Sequence, residues 1–136
     1  MRAEEVRSFL ALAREDLEVA DTLRSTHGRP AAFHLQQAAE KLLKAVLTAE
    51  GVEFPKGHHI GALAASLPEA HPWRADLMAL DGLSSFATAL RYPMPGGALP
   101  TAPEVPELAS ASDRLTRLLD EVQGRLLAAG SPRSEA

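Results

Sequence analysis

The sequence has no cysteine and few aromatic residues, with four Phe, one Trp and one Tyr among 136 residues. Without thiols it can form neither disulfides nor thiolate zinc sites, and nothing in it points to an oxidising compartment. It contains no apolar run of the roughly 18–20 residues that a membrane-spanning helix needs. The first twenty residues carry charge throughout, so we predict no signal peptide, no membrane association and a cytoplasmic location.

Basic residues are also in the minority. Lys and Arg number 14 against 18 Asp and Glu, which gives a net charge of −4. Strong non-specific binding of duplex DNA needs many phosphate-neutralising cations, so we exclude that class but not a small local basic pocket. The glycine-rich phosphate loops GxxxxGK[ST] and GxGxxG are absent. The length and the apolar content of 46% fit one soluble globular domain.

What the chain does have is helical periodicity. Apolar residues recur at helical spacing in four long segments and one short one, at about 4–26, 30–50, 60–67, 73–90 and 108–129. No segment reads as a strand, and most connections are short. The sequence therefore predicts an all-α fold, an antiparallel up-and-down four-helix bundle with an additional short helix.

Glycine and proline mark the expected ends of these helices. Gly28 is expected to cap the first helix in the left-handed conformation, and Gly51 to end the second. A kink is expected in the third long helix at Asp81-Gly82, where both residues have poor helix propensity. These positions predict where the chain turns between antiparallel neighbours.

Residues 93–106 read PMPGGALPTAPEVP, with five Pro and two Gly, and are predicted to form a loop before the last helix. That helix begins between 106 and 112 and is expected to end at Gly130. We therefore predict a single domain over residues 1–130, followed by a frayed tail at 131–136.

The second helix contains the stretch FHLQQAAEKLLKAVL at 33–47, which is apolar over most of its circumference. So wide an apolar surface indicates contact on more than one side, as in a central bundle helix or a helix at a subunit interface. On this basis we expect a homodimer. The remaining polar strip consists of His34, Gln37, Lys41, Lys44 and Thr48.

Four motifs occur in a recognisable order: ARED in the first helix, FHLQQAAEKLLKAVL in the second, the loop PKGHHI, and ALRYP at the end of a later helix. In this order they resemble the HEPN family, the higher-eukaryote and prokaryote nucleotide-binding domain. The resemblance covers residues 5–93 and is strongest at 33–60. It implies an all-α bundle that commonly forms homodimers and acts near nucleotides or RNA.

The resemblance also implies a partner. Many prokaryotic HEPN proteins are paired with a minimal nucleotidyltransferase as toxin and antitoxin, and the active toxins are metal-independent ribonucleases with an Arg-x4–6-His motif. Arg91 matches the arginine of that motif, but positions 96–98, where the histidine is expected, hold Gly96, Gly97 and Ala98. The incomplete motif favours a protein that is not an enzyme.

One other pair has the motif spacing, Arg29 and His34, but it lies at the start of the second helix, where the family has no such motif. With this many Arg and His residues, about one chance match is expected in the chain. We interpret the pair as coincidence.

The candidate site residues are cationic or aromatic. Nucleotide or RNA binding is assigned to Lys41, Lys44, Lys56, His58, Arg91 and Tyr92. Arg offers a planar fork of donors to phosphate oxygens, and His titrates near neutral pH, so Arg91 and His58 are the candidates for catalysis.

Each assignment has a structural alternative. Lys41 and Lys44 can belong to a solvated strip in which Glu40 and Lys44 pair at the surface. Arg91 can satisfy carbonyls at a helix end while Tyr92 packs on the bundle. His58 can bind backbone beside the next helix.

Asp16 lies near the apolar stripe of the first helix, where a partly buried carboxylate needs a partner, and we expect Lys or Arg of the second helix to supply it. His58 and His59 lack a spaced third ligand, so no metal is predicted. No cofactor is predicted either.

Three functions remain open. The first is a HEPN-type module that forms a homodimer, works with a minimal nucleotidyltransferase and binds nucleotide or RNA weakly. The second is a metal-independent HEPN ribonuclease that combines Arg91 with a non-standard histidine. The third is a helical scaffold with no nucleotide role.

Overall fold

The computed structural model describes residues 2–54, 59–87 and 89–134, and gives the side chains of these except for residues 87 and 128–134. All the regular secondary structure in this part of the chain is helical, without a strand, which confirms the predicted fold class. The elements are α1 (Arg2–Leu23), α2 (Gly28–Glu50), α3 (Ile60–Ala65), α4 (Arg74–Met78), a 3₁₀ helix (Ala79–Ala87) and α5 (Val105–Ser134).

Helix α2 is the centre of the bundle, as its apolar circumference predicts. It contacts α1, α3, the 3₁₀ helix and α5. Leu35, Leu42, Leu43 and Leu47 are at most 1% exposed, and burying such a side chain is worth roughly 1.5–3 kcal/mol. Most of the apolar surface of α2 is therefore buried against other helices of the same chain. Helix α1 contributes five buried residues to this core, Val6, Leu10, Ala13, Leu17 and Ala20.

The end of α1 differs from the expectation. α1 ends at Leu23, three residues of turn follow, and Gly28 is the first residue of α2 rather than a left-handed cap. A Cβ on Gly28 would lie 3.2 Å from the Cβ of Ala102 and 3.5 Å from the carbonyl oxygen of Pro103. The glycine therefore permits close approach of the Pro-rich loop. The sequence around the end of α1 could not show this contact, because the loop lies more than seventy residues later in the chain.

Gly51 ends α2 as predicted. Its φ of 73° is left-handed, its N–H donates to the carbonyl of Thr48 at 3.1 Å, and the N–H of Val52 donates to that of Leu47 at 2.9 Å. These two bonds form the Schellman arrangement, which satisfies carbonyls that the helix end leaves without partners.

The predicted third long helix is wrong beyond Met78. The chain leaves the α conformation there and continues as a 3₁₀ helix from Ala79 to Ala87, so there is no single helix kinked at Asp81. The spacing of the apolar residues explains the change, because a 3₁₀ helix aligns residues three apart. The residues that face the core in this way are Leu77, Leu80, Leu83 and Phe86.

The 3₁₀ geometry also aligns two polar residues with the start of α3. Asp81 Oδ1 accepts a hydrogen bond from the N–H of Gly61 at 2.7 Å, and Ser84 Oγ accepts one from the N–H of Ile60 at 2.9 Å. These bonds satisfy backbone donors at the first turn of α3. A Cβ at Gly61 would lie 2.7 Å from Asp81 Oδ1, so a larger residue there would displace this carboxylate from its hydrogen bond.

The Pro-rich segment is a loop with defined internal contacts. The N–H of Met94 donates to the carbonyl of Ala98 at 2.7 Å, and Gly96 and Gly97 both adopt a φ of +94°. Arg29 of α2 donates to the carbonyl of Pro100 at 3.0 Å, so the loop is held against the beginning of α2.

Helix α5 closes the bundle beside α1. Arg14 of α1 donates to Gln123 Oε1 at 2.6 Å and pairs with Asp120 at 3.0 Å. α5 continues to Ser134, past the end predicted at Gly130. Glycine can keep helical dihedral angles, and a proline can keep a helical φ although it loses one backbone bond and crowds the carbonyl four residues earlier, so these residues weaken the last turns. No helix in the described ranges has the length and apolarity to cross a membrane.

Two glycine substitutions are expected to change stability in opposite directions. Gly51→Ala places a Cβ in the left-handed region and should lower the free energy of unfolding by about 1–2 kcal/mol. Gly124→Ala, inside α5 with no atom within 4 Å of the added Cβ, should raise it by about 0.5–1 kcal/mol. Urea denaturation measures both, and equal effects would contradict this account of the α2 cap.

Candidate functional site

The polar strip of α2 lies along a half-buried edge of the bundle. His34, Gln37, Lys41, Lys44 and Thr48 are each partly exposed, whereas most other residues of α2 are buried. Neighbouring members of this set are three or four positions apart, so they line one side of the helix. The strip faces the edge of α1 that carries Asp16 and Phe9.

Asp16 is the polar centre of this edge. Its side chain is only 11% exposed, and it accepts a hydrogen bond from His34 Nδ1 at 2.8 Å and one from Lys41 Nζ at 2.5 Å. The expectation that a cation of the second helix pairs with Asp16 is therefore confirmed. Because the carboxylate is an acceptor, His34 Nδ1 acts as donor, which leaves Nε2 as the ring nitrogen available for proton transfer.

A second carboxylate, that of Glu40, lies on α2 itself. Glu40 accepts a hydrogen bond from Lys44 Nζ at 2.9 Å and one from Gln36 Nε2 at 3.3 Å. The predicted Glu40–Lys44 pair is confirmed, but its predicted surface position is wrong, because Glu40 is buried at 4% exposure. Gln36, itself fully buried, makes this burial tolerable by supplying a second donor.

Arg91 lies in the turn that follows the 3₁₀ helix and reaches across to the beginning of α2. Its guanidinium carbon is 4.7 Å from the centroid of the Phe33 ring and 5.8 Å from that of Tyr92. Both distances fall within the range of cation–π contact. Tyr92 itself is 60% exposed, so the alternative in which it packs on the bundle is wrong.

The aromatic corner, defined here as Phe33, Arg91 and Tyr92, meets the Asp16 cluster at one point. The ring of His34 packs edge-on against that of Phe33, with 5.5 Å between centroids. Arg91 and His34 therefore contact the same aromatic ring. Lys41 joins the group through Asp16.

The other assigned residues are placed differently. Lys44 belongs to the Glu40 pair, farther along α2. Lys56 and His58 fall outside the described residues, and their roles stay predictions. Arg29, of the chance Arg29–His34 match, directs its guanidinium to the Pro-rich loop.

Sequence reasoning did not single out Phe33, and it did not select His34 as a site residue. A signal was present, since an aromatic residue and a histidine are adjacent at the first turns of a helix whose following turns carry lysines. The sequence could not show that the turn carrying Arg91 would lie against Phe33. Among the described residues there is no group of three or more His, Asp or Glu side chains able to hold a metal ion.

Comparison with known proteins identifies the family. The HEPN domain family matches residues 6–122. A protein of Methanocaldococcus jannaschii named "Putative toxin MJ1304" is 34% identical over 95 residues, a match that covers 64% of this chain and 62% of that protein. The chain thus spans less than two thirds of the length of this relative.

Two crystal structures have the same fold. The protein TT1696 from Thermus thermophilus has a TM-score of 0.72 and 31% identity, covering 87% of this chain and 95% of that one. ST0689, an archaeal HEPN homologue, has a TM-score of 0.67 and 27% identity, covering 89% and 97%. Together with the match over residues 6–122, these similarities show that the chain belongs to the HEPN domain family.

Proposed function

We propose that this HEPN protein is the toxin-type member of a toxin–antitoxin pair, a homodimer that works with a minimal nucleotidyltransferase and binds nucleotide or RNA weakly. The observation that carries the binding part is the aromatic corner. The Methanocaldococcus jannaschii relative, whose name is "Putative toxin MJ1304", supports the toxin part. The partnership is what the family resemblance implies.

The aromatic corner has the parts that a single-stranded nucleic acid needs. Tyr92 offers an exposed ring on which a base can stack, and such stacking is worth about 1–3 kcal/mol per base. The guanidinium of Arg91, held against Phe33 at 4.7 Å, is oriented before a ligand arrives. Its planar donors suit phosphate oxygens, so the corner can bind a base and a phosphate together.

The same structure limits the affinity. Lys41 is already bound to Asp16 and Lys44 to Glu40, so neither ammonium adds an uncompensated positive charge. With a net charge of −4, the chain also attracts polyanions poorly from a distance. Few phosphates are therefore neutralised, and the logarithm of the affinity should fall with log salt at a slope of about −1 or shallower.

Arg91→Ala and Tyr92→Ala should each weaken binding of a short single-stranded RNA by about tenfold, because each removes one contact of the corner. Arg125→Ala is the matched control, since Arg125 is an exposed arginine of α5 far from the corner in sequence. Fluorescence anisotropy measures all three. Equal weakening by Arg91→Ala and Arg125→Ala would show that only the overall charge matters, and would contradict binding at the aromatic corner.

Absence of binding to ATP and to RNA at millimolar ligand would favour the helical scaffold without a nucleotide role.

The partnership has its own test. The full chain, tagged and expressed in its native host, should copurify with a nucleotidyltransferase that mass spectrometry identifies. The tagged Arg91→Ala protein is a suitable companion sample, because it separates partner binding from nucleotide binding. Recovery of the chain without any nucleotidyltransferase would contradict the partnership and leave the binding result intact.

A specific observation also favours the second function, a metal-independent ribonuclease with a non-standard histidine. His34 is oriented by Asp16 at 2.8 Å and lies against the same Phe33 ring as Arg91. A histidine held by a carboxylate and an arginine beside it are the parts of a proton-transfer site with a phosphate clamp.

In such a site, His34 Nε2 takes the proton of a ribose 2′-OH while the 2′ oxygen attacks the adjacent phosphorus. The O2′–P bond forms and the P–O5′ bond breaks, leaving a 2′,3′-cyclic phosphate. Water protonates the departing 5′ oxygen. Arg91 stabilises the negative charge that develops on the phosphoryl oxygens.

This ribonuclease would cleave RNA in EDTA. It would lose at least about a hundredfold in rate with His34→Ala, which removes the general base, or with Arg91→Ala, which removes the stabilisation of phosphoryl charge. His27→Ala is the matched control, because His27 is exposed in the turn between α1 and α2 and its ring hydrogen-bonds to the neighbouring Thr26. His58→Ala tests the histidine assigned from the sequence. Gel electrophoresis of a labelled single-stranded RNA gives the rates, and intact RNA with the unmodified protein would exclude this function for that substrate.

A further inference from the structure

Two apolar residues interrupt the polar surface of α1. Leu12 is 43% exposed and Val19 38%, and they lie seven positions apart in one row with Glu5. Seven residues are nearly two turns of an α-helix, so these three side chains follow one another along the surface. A hollow of about 550 Å³ opens beside the first half of this row, lined by Glu4, Glu5, Ser8, Phe9 and Leu12.

Exposed glutamates surround the two apolar residues. Glu4 and Glu18 belong to a second row that runs alongside the first, and Glu15 lies between the two rows. With Glu5 they make four carboxylates, and none of these forms an ion pair or a hydrogen bond within the described part of the chain. We call this surface the acidic α1 face, defined by Glu4, Glu5, Leu12, Glu15, Glu18 and Val19.

The cations around this face do not neutralise it. On the adjoining edge of α2, Lys41 is bound to Asp16 and Lys44 to Glu40, so each lysine compensates a different carboxylate. The arginines of α1 lie at its start or on its other sides. They are Arg2, whose guanidinium lies against Gly51, Arg7, which lines a hollow with Leu126, and Arg14, which pairs with Asp120. The acidic α1 face therefore keeps a net negative charge.

A cationic amphipathic helix is complementary to such a surface. An apolar row of that helix repeats with the same spacing of seven residues, so it can cover Leu12 and Val19 together. Lys or Arg on either side of the row can then pair with the four glutamates. An extended segment fits less well, because the side of an α-helix offers no free backbone groups to satisfy the N–H and C=O groups of an extended chain.

The same charges disfavour other occupants. RNA and anionic lipid surfaces are negatively charged, so this face repels them. A second copy of the chain would place glutamates against glutamates, or against the lysines of α2 that already compensate carboxylates of their own. A metal ion is not favoured either, since the described ranges contain no group of three or more His, Asp or Glu side chains able to hold one.

We propose that the acidic α1 face is a docking surface for a cationic amphipathic helix of another protein. Exposed apolar residues bordered by charges of one sign mark interaction sites on small domains. The inference goes beyond the proposed function, which places RNA at the aromatic corner and assigns no protein contact to α1. It holds whether or not the nucleotidyltransferase supplies the helix.

The probe is a synthetic peptide of about 20 residues, long enough to form a helix. It carries leucine at every seventh position, lysine on both sides of that row, and alanine and glutamine elsewhere. A second peptide has glutamate in place of each lysine. Fluorescence anisotropy should show saturable binding of the lysine peptide to the full chain at low salt, weaker binding as salt screens the charges, and no binding of the glutamate peptide.

Charge reversal tests the electrostatic part. Glu15→Lys combined with Glu18→Lys should raise the Kd of the lysine peptide by at least about tenfold, because attraction at two positions becomes repulsion. The matched control is Glu107→Lys combined with Asp113→Lys, which reverses two exposed acids of α5 and changes the net charge of the chain equally. It should change the Kd by less than about twofold, because charges far from the peptide are screened.

Leu12→Ala tests the apolar part. It should raise the Kd of the lysine peptide by about fivefold, because it removes the apolar contact at the centre of the face. Met78→Ala is the matched control, since Met78 of α4 is an apolar residue with a similar exposure of 37%. Circular dichroism shows whether the variants keep their helical content, which is expected for substitutions at exposed positions.

Amide proton–nitrogen correlation spectra give the position of the bound peptide. During titration with the lysine peptide, the largest shift changes should fall on the amides of Ser8, Leu12, Glu15 and Val19. Largest changes outside α1 would overturn the proposal, whatever the affinity.

Three results of the binding assay would also overturn it. Equal weakening by the charge reversals on α1 and on α5 would mean that the peptide responds only to net charge. Equal binding of the glutamate peptide would remove the charge complementarity. Lack of saturable binding by the lysine peptide would show that the face has no affinity for this class of helix, and would leave RNA binding at the aromatic corner unaffected.

Discussion

Two carboxylates at the sides of α2 must be neutralised, and much of the polar structure follows from that requirement. Asp16 and Glu40 are both buried, with 8% and 4% of the whole residue exposed. A buried carboxylate without donors would cost several kcal/mol, so each holds a lysine of α2 and a second donor. The lysines that look like a phosphate-binding strip in the sequence are therefore occupied within the chain.

The same constraint bears on the proposed binding site. Beside these lysines, His34 is oriented by Asp16, and the Arg91 side chain lies against Phe33. They come from two segments separated by nearly sixty residues in the chain. The fold brings them together because the turn after the 3₁₀ helix returns to the beginning of α2.

The sequence predicts the helical class, the central position of α2, its end at Gly51 and a cation partner for Asp16, since each depends on local periodicity or on one strong local preference. The burial of Glu40 could not be predicted in the same way. An i, i+4 Glu–Lys pair reads as a surface feature, and only the packing of neighbouring elements decides otherwise. The 3₁₀ helix also escaped prediction, although its apolar residues are three apart, because the same residues also fit an α-helix over two or three turns.

The candidate site was predicted less completely than the fold. The sequence assigned Arg91 and Tyr92 through the family resemblance, whereas Phe33 and His34 join them only through a contact between distant segments. Lys56 and His58 lie outside the described residues. Residues that act through long-range contacts carry little signal in a single sequence, because nothing near them in the chain specifies the partner.

The capping of α3 by Asp81 and Ser84 has a consequence for the order in which the molecule opens. Helix α3 has six residues, too few to persist alone, and the donors of its first turn are satisfied by side chains about twenty residues later in the chain. Its helical state and the docking of the 3₁₀ helix are therefore one cooperative unit. We therefore expect α3 and the 3₁₀ helix to open as a separate foldon in native-state hydrogen exchange, with amides that exchange together and before those of α1 and α2.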